Sequence, residues 1–277
     1  MSDPVRVPRA VYLAIGDSNA QRFDGLVVET SDGPAVVKAR WLPGMRTDAL
    51  FANGRVGEFV ARALREQRFL MKGGDEADNV FPVLLEQISA TSYERVAPQP
   101  RDPQNAVIIF VSGGTNSIDV AWKLYPHYDV DLGERMPELR GAPPYVATHG
   151  FIAEADVRAL IEAQLAPLFS AISALRSAGF HQLFVHDVQP TSWQQQEGWV
   201  NATLRFKVVV LLNEVLRDAC DRLGATFVST WHFVFEDGGR ARAYDRDGEH
   251  LLPQAGARSM EIIQAALASD PLMPGES

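Results

Sequence analysis

Six consecutive residues, Ala106-Val107-Ile108-Ile109-Phe110-Val111, are apolar and rich in β-branched side chains, and Ser112-Gly113-Gly114 ends the run. A strand apolar at every position has no face to offer to water. It has to be covered on both sides, which is the situation of a strand inside a parallel sheet with helices on either face. The rest of the chain supplies candidates for its neighbours and covers. Short apolar runs occur at 10–15, 182–188 and 226–228. Leu26-Val27-Val28 and Ala35-Val36-Val37 flank Ser31-Asp32-Gly33-Pro34, a hairpin pattern, and Ala49-Leu50-Phe51-Ala52 is a candidate short second strand. Between these runs the apolar period changes to that of helices, at about 57–71, 79–88, 154–177, 203–223 and 253–268. The stripe Val157, Leu160, Ile161, Leu165, Leu168, Phe169, Ile172, Leu175 is the longest of these; Pro167 should kink its helix and Gly179 should stop it. Gly224 ends the next helix, and Pro253 suits the first turn of the last. Strands alternating with helices along the whole length predict an α/β fold.

Composition sets outer bounds. The chain has 277 residues, 46% hydrophobic and 22% charged, ample for a large core. No internal repeat and no linker-like composition shift divides it, so one domain spanning 1–277 is expected. The longest irregular stretch is 119–152, which holds Trp122, Tyr125, Tyr128, Tyr145 and Phe151. Loops of that length serve as lids or binding loops, or pack as surface excursions around their own aromatic cluster. A net charge of -9 argues against nucleic acid or an anionic membrane as main partner. The single cysteine, Cys220, excludes an intrachain disulfide and falls in an apolar helical pattern, as a buried structural thiol would. Residues 1–9 carry no long apolar stretch, and 11–15 is too short for a signal core or a membrane span; a cytoplasmic protein is the expectation. Neither G-x-x-x-x-G-K-[ST] nor G-x-G-x-x-G occurs, and no two histidines have the local spacing of a zinc site. No cofactor and no metal are therefore expected.

The run at 10–15 leads into Gly16-Asp17-Ser18-Asn19, which places a serine hydroxyl at the C-terminal end of a strand, the ligand-binding edge of an open α/β sheet. Gly, Asp and Ser are also ordinary turn residues. A nucleophilic serine needs a base, an orienting group and oxyanion donors. Of the six histidines, only His250 has a carboxylate at short loop spacing, in Asp247-Gly248-Glu249-His250, directly before the last helix. A turn there lets Asp247 accept from one ring nitrogen while the other faces Ser18; a solvated turn is the ordinary meaning of the same spacing. Gly113-Gly114-Thr115-Asn116 follows the most apolar strand, so the Asn116 amide is either an oxyanion donor or a helix cap. Asn53-Gly54-Arg55-Val56-Gly57 lies at a predicted helix start and reads as an anion-binding N-terminus or a plain turn. Around these, Asn19, Trp122, Tyr125 and His186 are candidate substrate contacts. His186 closes a predicted strand at the active edge and is either pocket wall or core; Trp193, Trp199, Trp231 and Phe233 are either cleft walls or packing residues.

Taken in order, Gly16-Asp17-Ser18, a glycine before a helix, Gly114-x-Asn116 after a central strand and Asp247-Gly248-Glu249-His250-Leu251 before a final helix resemble the SGNH (GDSL-type) hydrolase family over nearly the whole chain. The resemblance implies a flavodoxin-like three-layer αβα fold with a central parallel sheet of about five strands. It implies Ser18 as nucleophile, His250 as base and Asp247 as its orienting partner, with Gly57, Asn116 and the Ser18 N–H as oxyanion hole. It implies hydrolysis of a small-molecule ester through an acyl-enzyme. An acyltransferase using the same site, and a non-catalytic binding protein on the same fold, are the alternatives. The chain departs from the family pattern at Asn19, where leucine is usual, and at Ser117, where aspartate is common. In the second block, Gly54 rivals Gly57.

Overall fold

A computed structural model describes residues 11–30, 33–41, 106–111, 128–132, 150–177, 179–189, 202–236, 239–247 and 250–269. The wholly apolar run forms β4 (Ala106–Val111), and all six of its residues are buried. Its partner on one side is β1 (Val11–Gly16), paired in parallel from Val11↔Ala106 to Gly16↔Val111. The predicted hairpin forms as β2 (Val27–Thr30) and β3 (Gly33–Trp41), and β3 takes the place beside β1, also in parallel. Beyond β4 come β7 (Gln182–His186) and β8 (Thr226–Val228). The six-stranded sheet has the order β2-β3-β1-β4-β7-β8, parallel throughout except for the antiparallel edge strand β2. In β3 the residues Ala35, Val37 and Ala39 are buried while Val36 and Lys38 are exposed, the alternation of a strand with one core face.

The described residues include four α-helices: α1 (Glu154–Ser177), α2 (Ala202–Leu223), the single turn α3 (Trp231–Val234) and α4 (Pro253–Ser269). Because successive side chains of a strand point to opposite faces, β1 and β4 serve two separate cores. Leu13, Ile15, Ile108 and Phe110 pack with the buried stripes of α1 and α2. Tyr12, Ala14, Val107 and Ile109 pack with Ala20, Phe23, Met260 and Ile263, from the turn after β1 and from α4. The result is a three-layer α/β fold with a mostly parallel central sheet. The helix ends follow their glycines: Gly179 and Gly224 have φ of 92° and 66°, and Phe180 and Ala225 donate back to Leu175 and Cys220. α1 continues through Pro167 and by length and hydropathy would suffice to cross a bilayer; its apolar stripe lies against the sheet. Cys220 is buried on α2, and burial, with the Asp221 carboxylate adding to it, pushes its thiol up to about 12.

The stretch 119–152, expected to be irregular, contains regular structure where it is described. β5 (Tyr128–Val130) and β6 (Gly150–Ile152) pair in parallel. Lys207 of α2 fixes this ladder, its Nζ lying 3.0 and 2.9 Å from the Asp129 carboxylate oxygens and 2.8 Å from Val130 O. β9 (Phe235–Glu236) and β10 (Gly239–Arg240) form a second small hairpin. The candidate strand at 49–52 and the predicted helices at 57–71 and 79–88 lie outside the described residues.

Candidate active site

β1 ends at Gly16 because nothing larger fits there: a Cβ at this position would stand 1.8 Å from Val111 O. The close approach lets the Asp17 N–H reach Val111 O at 3.3 Å, so the chain leaves the sheet beside the end of β4. Asp17 is buried, and its carboxylate accepts from the Asn19 N–H at 2.8 Å, capping a 3₁₀ turn over Ser18–Phe23. Ser18 is therefore the first residue of a capped turn at the C-terminal edge of the sheet. Its amide, like the other first amides of a helical turn, has no acceptor within that turn.

The second half of the site is a loop closed at its base. Leu252 N donates to Tyr244 O at 2.8 Å, Arg246 N donates to His250 O at 3.0 Å, and Asp245 bridges Leu251. Leu251, Val234 and Ala255 form a small core beneath it, with Phe233 and Tyr244 against them. Within the loop Asp247 Oδ1 accepts from the His250 N–H at 2.7 Å. The same carboxylate lies 3.1 and 2.9 Å from His250 Nδ1. A carboxylate only accepts, so Nδ1 carries a proton toward it; in the neutral tautomer this leaves Nε2 as the acceptor. Ser18 Oγ lies 3.0 Å from that Nε2, across 232 residues of sequence. The Asp-x-x-His spacing thus forms the turn that the sequence allowed, and the structure brings Ser18, His250 and Asp247 into one line of hydrogen bonds. The line meets solvent: the His250 and Asp247 side chains are 31% and 44% exposed. Asn19 is half-buried beside Ser18, with its Oδ1 enclosed and without a hydrogen-bond partner among the described residues.

His186, read from the sequence as either pocket wall or core, is fully buried, because the Ser18 turn and α4 both pack over the end of β7. Its Nε2 lies 2.9 Å from Ser259 Oγ, and its Nδ1 lies 2.8 Å from Asp187 O and 3.0 Å from Asp187 Oδ1. The Arg22 guanidinium rests against the ring, 3.3 Å from both nitrogens, and Phe23 meets it edge-on at 5.7 Å. Asp187 is buried as well, and its carboxylate accepts from Thr230 N, from Thr230 Oγ1 at 2.8 Å and from Gln189 Nε2 at 2.9 Å. Burial alone would push this carboxyl up; the charge and hydrogen bond of His186, with the two Thr230 donors, outweigh it and hold the carboxyl below its ordinary value. Sequence reasoning missed this cluster. Its one local signal was a His-Asp pair directly after three buried strand residues.

The remaining candidates divide. Trp231 is both packing residue and cavity wall: its Nε1 donates to Val188 O at 2.9 Å and its ring packs 5.6 and 5.7 Å from Phe206 and Phe235, while it also lines a cavity. Phe233 packs on Tyr244. A cavity of about 280 Å³ beside α2 is lined by Asp187, Asn213, Glu214, Arg217, Phe227 and Trp231, and no member of the Ser18–His250–Asp247 line borders it. Gly54, Gly57, Asn116, Ser117, Trp122, Tyr125, Trp193 and Trp199 lie outside the described residues.

No family model and no curated protein matches the chain. Among solved structures it is similar to a protein from Streptococcus pneumonia described as a "putative platelet activating factor". The identity is 15%, covering 93% of this chain and 85% of the other, with a TM-score of 0.48.

Proposed function

We propose that the protein is a serine hydrolase of SGNH type acting on the carboxylic ester of a small molecule. The observation that carries this reading is the Ser18 Oγ to His250 Nε2 contact of 3.0 Å, with Asp247 on the far ring nitrogen. That is the relation a hydroxyl nucleophile requires: a neutral base in hydrogen-bond reach, held in the right tautomer by a carboxylate. In this reading His250 Nε2 takes the Ser18 proton as Oγ attacks the ester carbonyl carbon. The carbonyl oxygen becomes an oxyanion facing the Ser18 N–H and, by the family resemblance, Gly57 and Asn116. Collapse of the tetrahedral intermediate breaks the ester C–O bond, and His250 returns the proton to the departing alkoxide. Water then attacks the acyl-Ser18, with His250 again taking and returning the proton.

The test is Ser18→Ala, assayed on aryl acetates and with a fluorophosphonate probe. We expect unchanged circular dichroism, complete loss of labelling and a fall in turnover of at least about 10⁴. Hydrolysis undiminished in this variant would refute the assignment.

A further inference from the structure

The two halves of the Ser18–His250 contact are carried on elements that also meet at a buried junction. One half, the 3₁₀ turn Ser18–Phe23, contains Arg22; the other, the His250 loop, runs directly into α4, which contains Gly256 and Ser259. Gly256 faces the turn so closely that a Cβ on it would stand 2.6 Å from Arg22 O and 3.3 Å from Arg22 Cγ. One turn further on, Ser259 Oγ donates to Ala255 O at 2.8 Å. A hydroxyl has one hydrogen, so toward His186 Ser259 Oγ acts as acceptor and Nε2 as donor. The same ring supports the Arg22 guanidinium and the edge of Phe23. Its other nitrogen is held by Asp187, which Thr230 and Gln189 hold in turn. One fully buried imidazole at the end of β7 therefore touches both the element that carries Ser18 and the element that follows His250.

We propose that His186 and Ser259, with the close contact at Gly256, are positioning residues that set the distance between Ser18 Oγ and His250 Nε2. Neither loop can do this alone. The Asp247 contacts fix the His250 ring within its own loop, and the Asp17 cap fixes Ser18 within its own turn. The register between the two is decided where α4 meets the turn. Buried polar contacts fix geometry sharply, since an unmade bond there leaves a group with no alternative partner. Small displacements of a nucleophile from its base act mainly on turnover, because the reacting geometry and not the substrate's binding is what is lost.

The role of this junction in turnover rests on the esterase reading, but its role in geometry does not, so the experiment has two arms. The first is the crystal structure of Ser259→Ala and of Gly256→Ala. Alanine improves helix propensity at 256 while its Cβ, 2.6 Å from Arg22 O, forces α4 and the turn apart; Ser259→Thr, which keeps the hydroxyl, is the further variant for this arm and should retain the separation, and circular dichroism confirms the fold of each. We expect the Ser18–His250 separation to exceed hydrogen-bond range in both alanine variants. A separation kept near its wild-type value in either folded alanine variant overturns the proposal. The second arm is kinetic, on the aryl acetate and the fluorophosphonate probe. We expect kcat and the labelling rate to fall about ten- to a hundredfold at near-constant KM. Ser259→Thr, which keeps the hydroxyl, should recover most of the rate. Val215→Ala, an equally buried change on α2, should leave kcat in place; a loss there equal to that of Ser259→Ala overturns the proposal. If wild-type protein is inert to ester and probe while the separation still responds in the first arm, the esterase reading fails and the positioning role stands.

Discussion

Asp247 does two things with one carboxylate. It accepts the ring proton of His250, and it accepts the His250 backbone N–H, which shapes the loop. With 44% of the side chain in solvent, its charge is screened, and water can replace part of what it supplies. Asp247→Ala should therefore reduce turnover on aryl acetates, but by at least about tenfold less than Ser18→Ala does. Kinetics of the two variants side by side check this; equal losses would mean that the carboxylate is indispensable despite its exposure. Ser18, Asp247 and His250 could be read from the sequence because each sits in a short stretch whose meaning is local: a strand that stops, a tight turn, a helix start. His186 could not. Its partners Arg22 and Ser259 are 164 and 73 residues away, and nothing in the letters around 186 says that two other elements close over that strand end.

Asp187 shows what a strand end contributes beyond its own residues. It follows β7, receives both donors of Thr230 just beyond β8, and so ties the last two strands together at their C-terminal ends. Its carboxyl is held below the usual carboxylate value, so the folded state binds that proton less readily than the unfolded chain does. The stability it contributes is complete above the unfolded value of about 3.9 and is lost as pH falls from there through the folded value. Asp187→Asn should cost about 3–5 kcal/mol at neutral pH, since it leaves a buried partner uncompensated. It should also flatten the fall in stability below about pH 4. Denaturant titrations of both proteins across that range measure this; a parallel acid slope in the variant would assign the proton uptake elsewhere. At this level the long helices and the apolar strands were legible, because period and capping extend over many residues. The ladder of β5 and β6 was not: Tyr128-Asp129-Val130 has a charge at its centre and Gly150-Phe151-Ile152 opens on glycine, so neither is an apolar run like 226–228, and Lys207, which holds β5, lies 78 residues beyond Asp129.

The sheet divides the protein into two cores with different relations to the site. Five parallel strands point their C-terminal ends the same way, and Ser18, His186 with Asp187, and Thr230 all emerge there. Only the core on the α4 side also contains the Ser18 turn, through Ala20 and Phe23 packed with Met260 and Ile263. The α1 and α2 core lies on the opposite face of the sheet from that turn. Truncating a buried aliphatic side chain in either core should cost about 2–5 kcal/mol, so stability alone cannot tell the cores apart. Turnover can. Leu165→Ala on α1 removes a residue 1% exposed, and Ile263→Ala on α4 one 0% exposed. Assayed well below either unfolding midpoint, Leu165→Ala should keep kcat within about twofold, as expected for a site with no shared partners. Ile263→Ala should lower kcat while the midpoints fall alike, because the cavity it leaves lies in the core that the helix following His250 shares with the turn that carries Ser18. Equal kinetic losses in the two variants would mean that the sheet transmits packing defects from face to face and that α4 has no privileged hold on the site.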